Sequence, residues 1–292
     1  MREPEFTQHP TEIFGHSFVD LSPIAQGDRQ NQFCPFLNSE CKKPRKSEPH
    51  IKVGVCSVGY KGNFSDKMNS VIICPHRFEE KIVYDTIENL YFRNIPSGYE
   101  IKWASEVSCG VAGTIDFVAA KMRQNSVEDF LCVEFQAAGT TGTPWQAVVD
   151  FKQTGTFSQK TYKYGINWAN EFVKTMMQQV YKKGMVIEHW KKKIVFIIQD
   201  VGLHYIQSAT DASDLRRASD DDPIHFCTFK TVWNEELDTW QLEFDKRMST
   251  NTEGIRKILG GASEERFPTV DEFKSSISAR LALDLQSPLI RI

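Results

Sequence analysis

Thr114-Ile-Asp-Phe-Val-Ala-Ala-Lys121, a polar turn from Met122 to Asp129, and then Phe130-Leu-Cys-Val-Glu-Phe-Gln136 decide the fold of this chain. Both runs are β-branched, aromatic or small, and a polar linker separates them, which is the pattern of two strands in a hairpin. Side chains alternate faces along a strand. Glu134 and Gln136 therefore share a face with Cys132, while Leu131, Val133 and Phe135 take the other, core face. In the first strand Ile115, Phe117 and Ala119 share one face and Asp116 sits on the opposite one, where the hairpin can bring it beside Glu134. Asp and Glu are depleted inside strands. Two carboxylates meeting at the rim of a packed sheet are costly unless a cation neutralises them, and a hard divalent metal with oxygen ligands, such as Mg²⁺, suits that place. The plainer alternative is a pair of solvated strand-edge acids.

The 292 residues suit one large or two modest domains. With 40% hydrophobic and 12% aromatic residues the chain can bury a sizeable core. A net charge of −3 gives no global sign of nucleic-acid binding, so a DNA site has to rest on a local basic surface. No run reaches the length of a membrane span, and Met1-Arg-Glu-Pro-Glu-Phe6 has no apolar signal core. The expected location is cytoplasmic, with no membrane partner and with thiols kept reduced.

Cys34, Cys41, Cys56 and Cys74 fall within 41 positions, in turn-rich sequence too poor in apolar residues to fold unaided. A tetrahedral thiolate site would supply the missing stability, with Zn or Fe as the soft-ligand metal. The spacing of x6, x14 and x17 differs from that of a zinc ribbon. The alternative is four small hydrophobes in a core, the reading that suits Cys109, Cys132 and Cys227 with their apolar neighbours. Lys42, Lys43, Arg45 and Lys46 lie inside the cysteine stretch. They would ease thiol deprotonation and are the candidate DNA contacts; Lys152, Lys160, Lys163 and Arg216 are further cations that could read guanine.

Along the chain, residues 1 to about 30 read as a loose arm with one short helix. Arg77 to Arg93 carries a helical apolar stripe, and Glu79 and Glu80 are best read as first-turn acids on the helix dipole. Tyr99 to Val107 reads as a strand. If its hairpin with the Asp116 strand centres on Val111, Glu106 falls opposite Asp116 as an auxiliary third carboxylate. Ala137 to Trp145 reads as a long flexible loop. A helix over Asn167 to Lys183 stops at Gly184, and a strand follows from Ile194 to Ile198. Two more strands are expected over His225–Trp233 and Thr239–Phe244, and two helices over Thr252–Leu259 and Thr269–Leu283. The order predicts an α/β fold of the α+β mixed-sheet kind. Its parts are an N-terminal arm and metal-binding segment (1–76), a core (77–230), and C-terminal strands and helices on that core (231–292).

The spacing Asp116-x17-Glu134-x-Gln136 resembles the PD-(D/E)xK nuclease signature, with Gln136 where lysine is usual and Ile115 in place of the proline before the Asp. With Cys34-Pro-Phe and Cys74-Pro just upstream of the first core helix, the chain is similar to NotI-type restriction endonucleases over roughly residues 30 to 200. The resemblance implies a restriction-endonuclease core and Mg²⁺-dependent cleavage of double-stranded DNA at a GC-rich palindrome by a homodimer. It also implies Asp116, Glu134 and Gln136 as catalytic residues, with Mg²⁺ on the first two, and a single structural iron on Cys34, Cys41, Cys56 and Cys74; the thiol chemistry alone would admit zinc equally. The rival readings are a repair-type nuclease on the same core, a metal-stapled DNA-binding module without catalysis, and a structural protein whose acidic pair is incidental.

Overall fold

The computed structural model describes residues 2–62, 67–159, 161–260, 270, 271, 274, 275 and 277. The expected helix over 269–283 and Lys160 lie essentially outside that set.

The N-terminal stretch is not a loose arm. Strand β1 (Pro10–Ile13) is buried along its whole length, and helix α1 (Pro23–Gln30) follows, with Ser22 capping it by accepting from Ala25 N. β1 pairs with β2 (Val55–Tyr60), which pairs with β3 (Asn69–Ile72), so the four-stranded sheet runs His16–Ser17, β1, β2, β3. The run Thr11–Ile13 carried too few apolar residues to be read as core. It is buried because hydroxyls and a carboxylate inside the lobe satisfy one another: Thr11 bonds Ser57 and Ser70, and Ser57 donates to Glu12.

Helix α2 (Lys81–Tyr91) starts the core, followed by β4 (Tyr99–Ser108), β5 (Thr114–Arg123) and β6 (Ser126–Gln136). The strands of the deciding hairpin run further than the sequence pattern indicated, leaving only Gln124 and Asn125 as the turn, with Gln124 at φ +55°. Helix α3 (Trp145–Thr154) comes next, burying Ala147, Val148 and Phe151; this helix was not foreseen. The preceding loop is tied down as well, because Thr140–Gly142 pairs antiparallel with Tyr164–Ile166. A π-helical run, Trp168–Met176, leads into α4 (Met177–His189).

Gly184 does not stop α4; it lies inside the helix, where an added Cβ would meet Ile224 Cδ1 at 2.5 Å. The residue is glycine for close seating on the sheet, and that packing outweighs its low helix propensity. Then come β7 (Ile194–Gln199), α5 (Asp200–Ala209), β8 (Ile224–Asn234), β9 (Thr239–Thr250) and α6 (Thr252–Ile258).

The main sheet, among the described residues, has the order Arg216–Arg217, β9, β8, β7, β6, β5, β4. β7 is parallel to both β6 and β8, and the outer pairs are antiparallel. Every residue of β7 is buried, as a parallel strand covered on both faces requires. One face packs Val83 and Ile87 of α2 against Leu131, Val133 and Phe135. The other packs Met177, Val180 and Ile187 of α4, with α3, α5 and α6, against Cys132, Ile194 and Phe196. The face of Cys132 and Glu134 is therefore covered too. Ile115 packs with Cys132 rather than with Phe117 and Ala119, so strict alternation breaks just before Asp116.

Candidate active site and thiol cluster

The break before Asp116 builds the site. The β5–β6 ladder begins at Phe117–Val133, and one step beyond it the carboxylates replace the backbone bonds. Asp116 N donates to Glu134 Oε1 at 3.2 Å, and Phe135 N donates to Asp116 Oδ2 at 3.0 Å. Each acid thus caps the other strand's open amide, and both face one cleft of about 770 Å³. Gln136 lines the same cleft.

Glu106 is there as well. Ile115–Val107 and Phe117–Ser105 bracket it opposite Asp116, which centres the hairpin on Val111. Its backbone sits at φ +53°, a left-handed conformation costing about 1–2 kcal/mol for a non-glycine residue. That local turn aims an exposed carboxylate from the edge strand into the cleft.

Two further residues belong to the cleft. Glu79 is not merely a first-turn acid: it follows the turn Pro75–Phe78, bonds His76 Nδ1 at 2.6 Å and lines the cleft, whereas Glu80 instead pairs with Arg77. Lys183 reaches in from α4, its Nζ 2.6 Å from Glu134 Oε2, with both side chains buried. Lys183 carries no mark in the sequence, because the contact that makes a helix-borne residue a partner is tertiary. Burial and the neighbouring Asp116 charge push the Glu134 carboxyl up to about 7, against the opposing pull of Lys183. Such a site has a strong demand for positive charge.

The four upstream cysteines are all buried. A backbone N–H points at one of these sulfurs, Gly15 N donating to Cys56 at 3.3 Å. This donor suits a thiolate, and charged neighbours among the sulfurs would repel one another. Burial, then Cys74, drives the Cys56 thiol well up; burial likewise pushes Cys74 up to about 11. Among the described residues, no three His, Cys, Asp or Glu side chains stand in ligand arrangement around a common point.

The basic run divides between two grooves. Lys42 borders the carboxylate cleft, while Lys43, Arg45 and Lys46 border a second groove of about 490 Å³ with Thr143 and Trp145. Arg45 stacks over the Trp145 ring at 4.7 Å and pairs with Glu48, and Lys43 Nζ donates to Ile73 O at 2.9 Å. Lys42 and Lys46 are the exposed pair.

The family model of restriction endonuclease NotI matches residues 19–239. The chain belongs to the NotI restriction endonuclease family. The NotI match takes in the thiol cluster, the carboxylate cleft and α4. No curated protein matches the chain. No helix among the described residues is long and apolar enough to cross a membrane.

Proposed function

We propose that this NotI-family protein is a Type II restriction endonuclease that hydrolyses duplex DNA with Mg²⁺ held by Asp116 and Glu134. The carrying observation is the opened ladder, where two carboxylates from adjoining strands are fixed side by side by each other's backbone amides. Oxygen donors on a rigid sheet end suit a hard cation. When bound, Mg²⁺ would supply an activated water and charge to offset that of the phosphate in the transition state. Asp116, Glu134 and the Phe135 carbonyl would hold the ion, with Glu106 near enough to serve a second. Gln136 has no charge and orients water through its amide.

The cysteine cluster reads as a structural site for a single iron, or for zinc. Four buried thiols in one lobe, with Gly15 N aimed at Cys56, support a thiolate site chemically, and metal binding would draw the sulfurs together. Lys42 and Lys46 are proposed to meet DNA phosphates, beside the cleft and in the second groove. A GC-rich palindrome cut on both strands by a homodimer follows from the resemblance to NotI-type enzymes and from the need for two active sites on a twofold target.

Asp116→Ala should lower double-strand cleavage by at least about 1,000-fold while Ca²⁺-supported binding of the same DNA persists. An Asp116→Ala protein that still cuts duplex DNA in Mg²⁺ would overturn this reading.

A further inference from the structure

Position 136, where the general signature places a lysine two residues after the acid, holds a neutral glutamine. The cleft nevertheless contains one buried ammonium, and it arrives from another element. Lys183 projects from α4, one helical turn beyond Gln179, which lines the same cleft. Its side chain is only 8% exposed and its Nζ lies 2.6 Å from Glu134 Oε2. The other cleft lysines, Lys42 and Lys182, are exposed.

The backbone beneath Lys183 is fixed tightly. Gly184 lets α4 approach Ile224 to a distance no Cβ would permit, and Met177, Val180 and Ile187 lock the same helix into the core. A charge held this rigidly is preorganised, which makes an electrostatic group effective in catalysis.

We propose that Lys183 is the positioning cation of the cleavage site: it holds Glu134 and supplies from helix α4 the fixed positive charge that the strand lacks at Gln136. This rests on the nuclease reading of the cleft. Before DNA and metal arrive, Lys183 is the counter-ion of Glu134. When the scissile phosphate enters, the same ammonium stands beside the Asp116–Glu134 pair, where negative charge gathers.

The test exchanges the two side chains. Lys183→Gln keeps a hydrogen-bond donor for Glu134 but removes the charge, and should lower kcat by about 100-fold with KM for DNA changed less than about threefold. Lys183→Arg keeps the charge and should retain more activity than Lys183→Gln. The exchange variant, Lys183→Gln with Gln136→Lys, should recover at least about tenfold of the loss.

A second readout needs no turnover. Calorimetric titration of the untreated protein in Mg²⁺-free buffer with Ca²⁺ should show tighter binding to Lys183→Gln than to wild type, because the ammonium competes with the ion for Glu134. Thermal unfolding of each variant reports whether it folds, and if Lys183→Gln does not, Lys183→Arg and Gln136→Lys in its place carry the comparison. Folded Lys183→Gln cleaving within about threefold of wild type would overturn the proposal, as would an exchange variant that folds but regains nothing. Failure of the nuclease reading looks different: there Asp116→Ala would cut as well as wild type.

Discussion

The carboxylate cleft and the thiol cluster lie on either side of the Pro75–Phe78 turn, yet they are prepared for a metal in opposite ways. The cleft is complete without one. Each acid is held by a backbone amide of the facing strand, and Lys183 already stands on Glu134. The cluster carries four buried thiols, and burial favours the neutral form at Cys34, Cys56 and Cys74, with Gly15 N directed at Cys56. On the proposed reading, a metal at the cleft would add chemistry to a formed site, whereas a metal at the cluster would add stability to a small lobe whose core is Ile13, Phe14, Cys34, Cys41 and Phe151. The turn between them is anchored by Arg77, buried against Glu12 at 2.9 Å, which joins the N-terminal lobe to α2 whether or not either site is filled.

The largest expected effect breaks this asymmetry directly. Stripping metal with a strong chelator, or making Cys74→Ser, should cost a large share of the about 10 kcal/mol that a structural thiolate metal contributes, seen as a fall of more than about 10 °C in Tm. Elemental analysis of the untreated protein should return one iron or zinc per chain. Asp116→Ala should leave both that content and the Tm nearly unchanged. A protein whose Tm ignores chelation and which carries no metal would show that the thiols are core residues.

The same contrast explains what could be read from the chain. The neighbourhood of Asp116, Glu134 and Glu106 was legible because a hairpin centre fixes which residues stand opposite, and the pairs around Val111 follow that arithmetic, although the period of two fails at Ile115. A mixed sheet followed from the order of apolar runs, which gave its strands among the described residues apart from the short Arg216–Arg217. Lys183 was not legible: on α4 it resembles any solvated lysine of a Met-bearing stripe, and only packing of the helix on β8 turns it inward. Glu79 was set aside because a first-turn acid and a cleft acid look alike in sequence. The N-terminal lobe was misread because Thr11, Glu12, Ser57 and Ser70 are polar residues that pair with one another inside it. Sequence patterns register burial through apolar periodicity and are blind to burial through hydrogen bonding.

A smaller effect sharpens the comparison from the cleft side. Gly184→Ala places a methyl against Ile224 and should push α4 outward, costing about 1–3 kcal/mol. Lys183 moves with the helix, so cleavage should fall by about tenfold in kcat. The metal content of the cysteine cluster should stay at the wild-type value, since the added methyl meets Ile224 and Thr252 and none of the four cysteines. Loss of that metal in Gly184→Ala would mean that the two regions share one cooperative unit.

The smallest effect separates acid sensitivity of the cluster from that of the sheet. His225 is buried in β8, its Nε2 2.8 Å from Asp222 O, and burial lowers its pKa to about 4. The folded value lies below the unfolded one of 6.5, so the unfolded chain binds the extra proton. This contribution is full above pH 6.5 and drains away as the pH falls toward 4, amounting to about 1 kcal/mol between pH 7 and pH 5.5. If the cluster holds the proposed metal, its thiolates would also take up protons as the pH falls, with metal release in the same direction. Urea unfolding of wild type and His225→Phe at both pH values divides the two. His225→Phe should lose about 1 kcal/mol less than wild type over that interval, while proton uptake by Glu134, whose carboxyl is raised to about 7, acts in the stabilising direction and alike in both proteins.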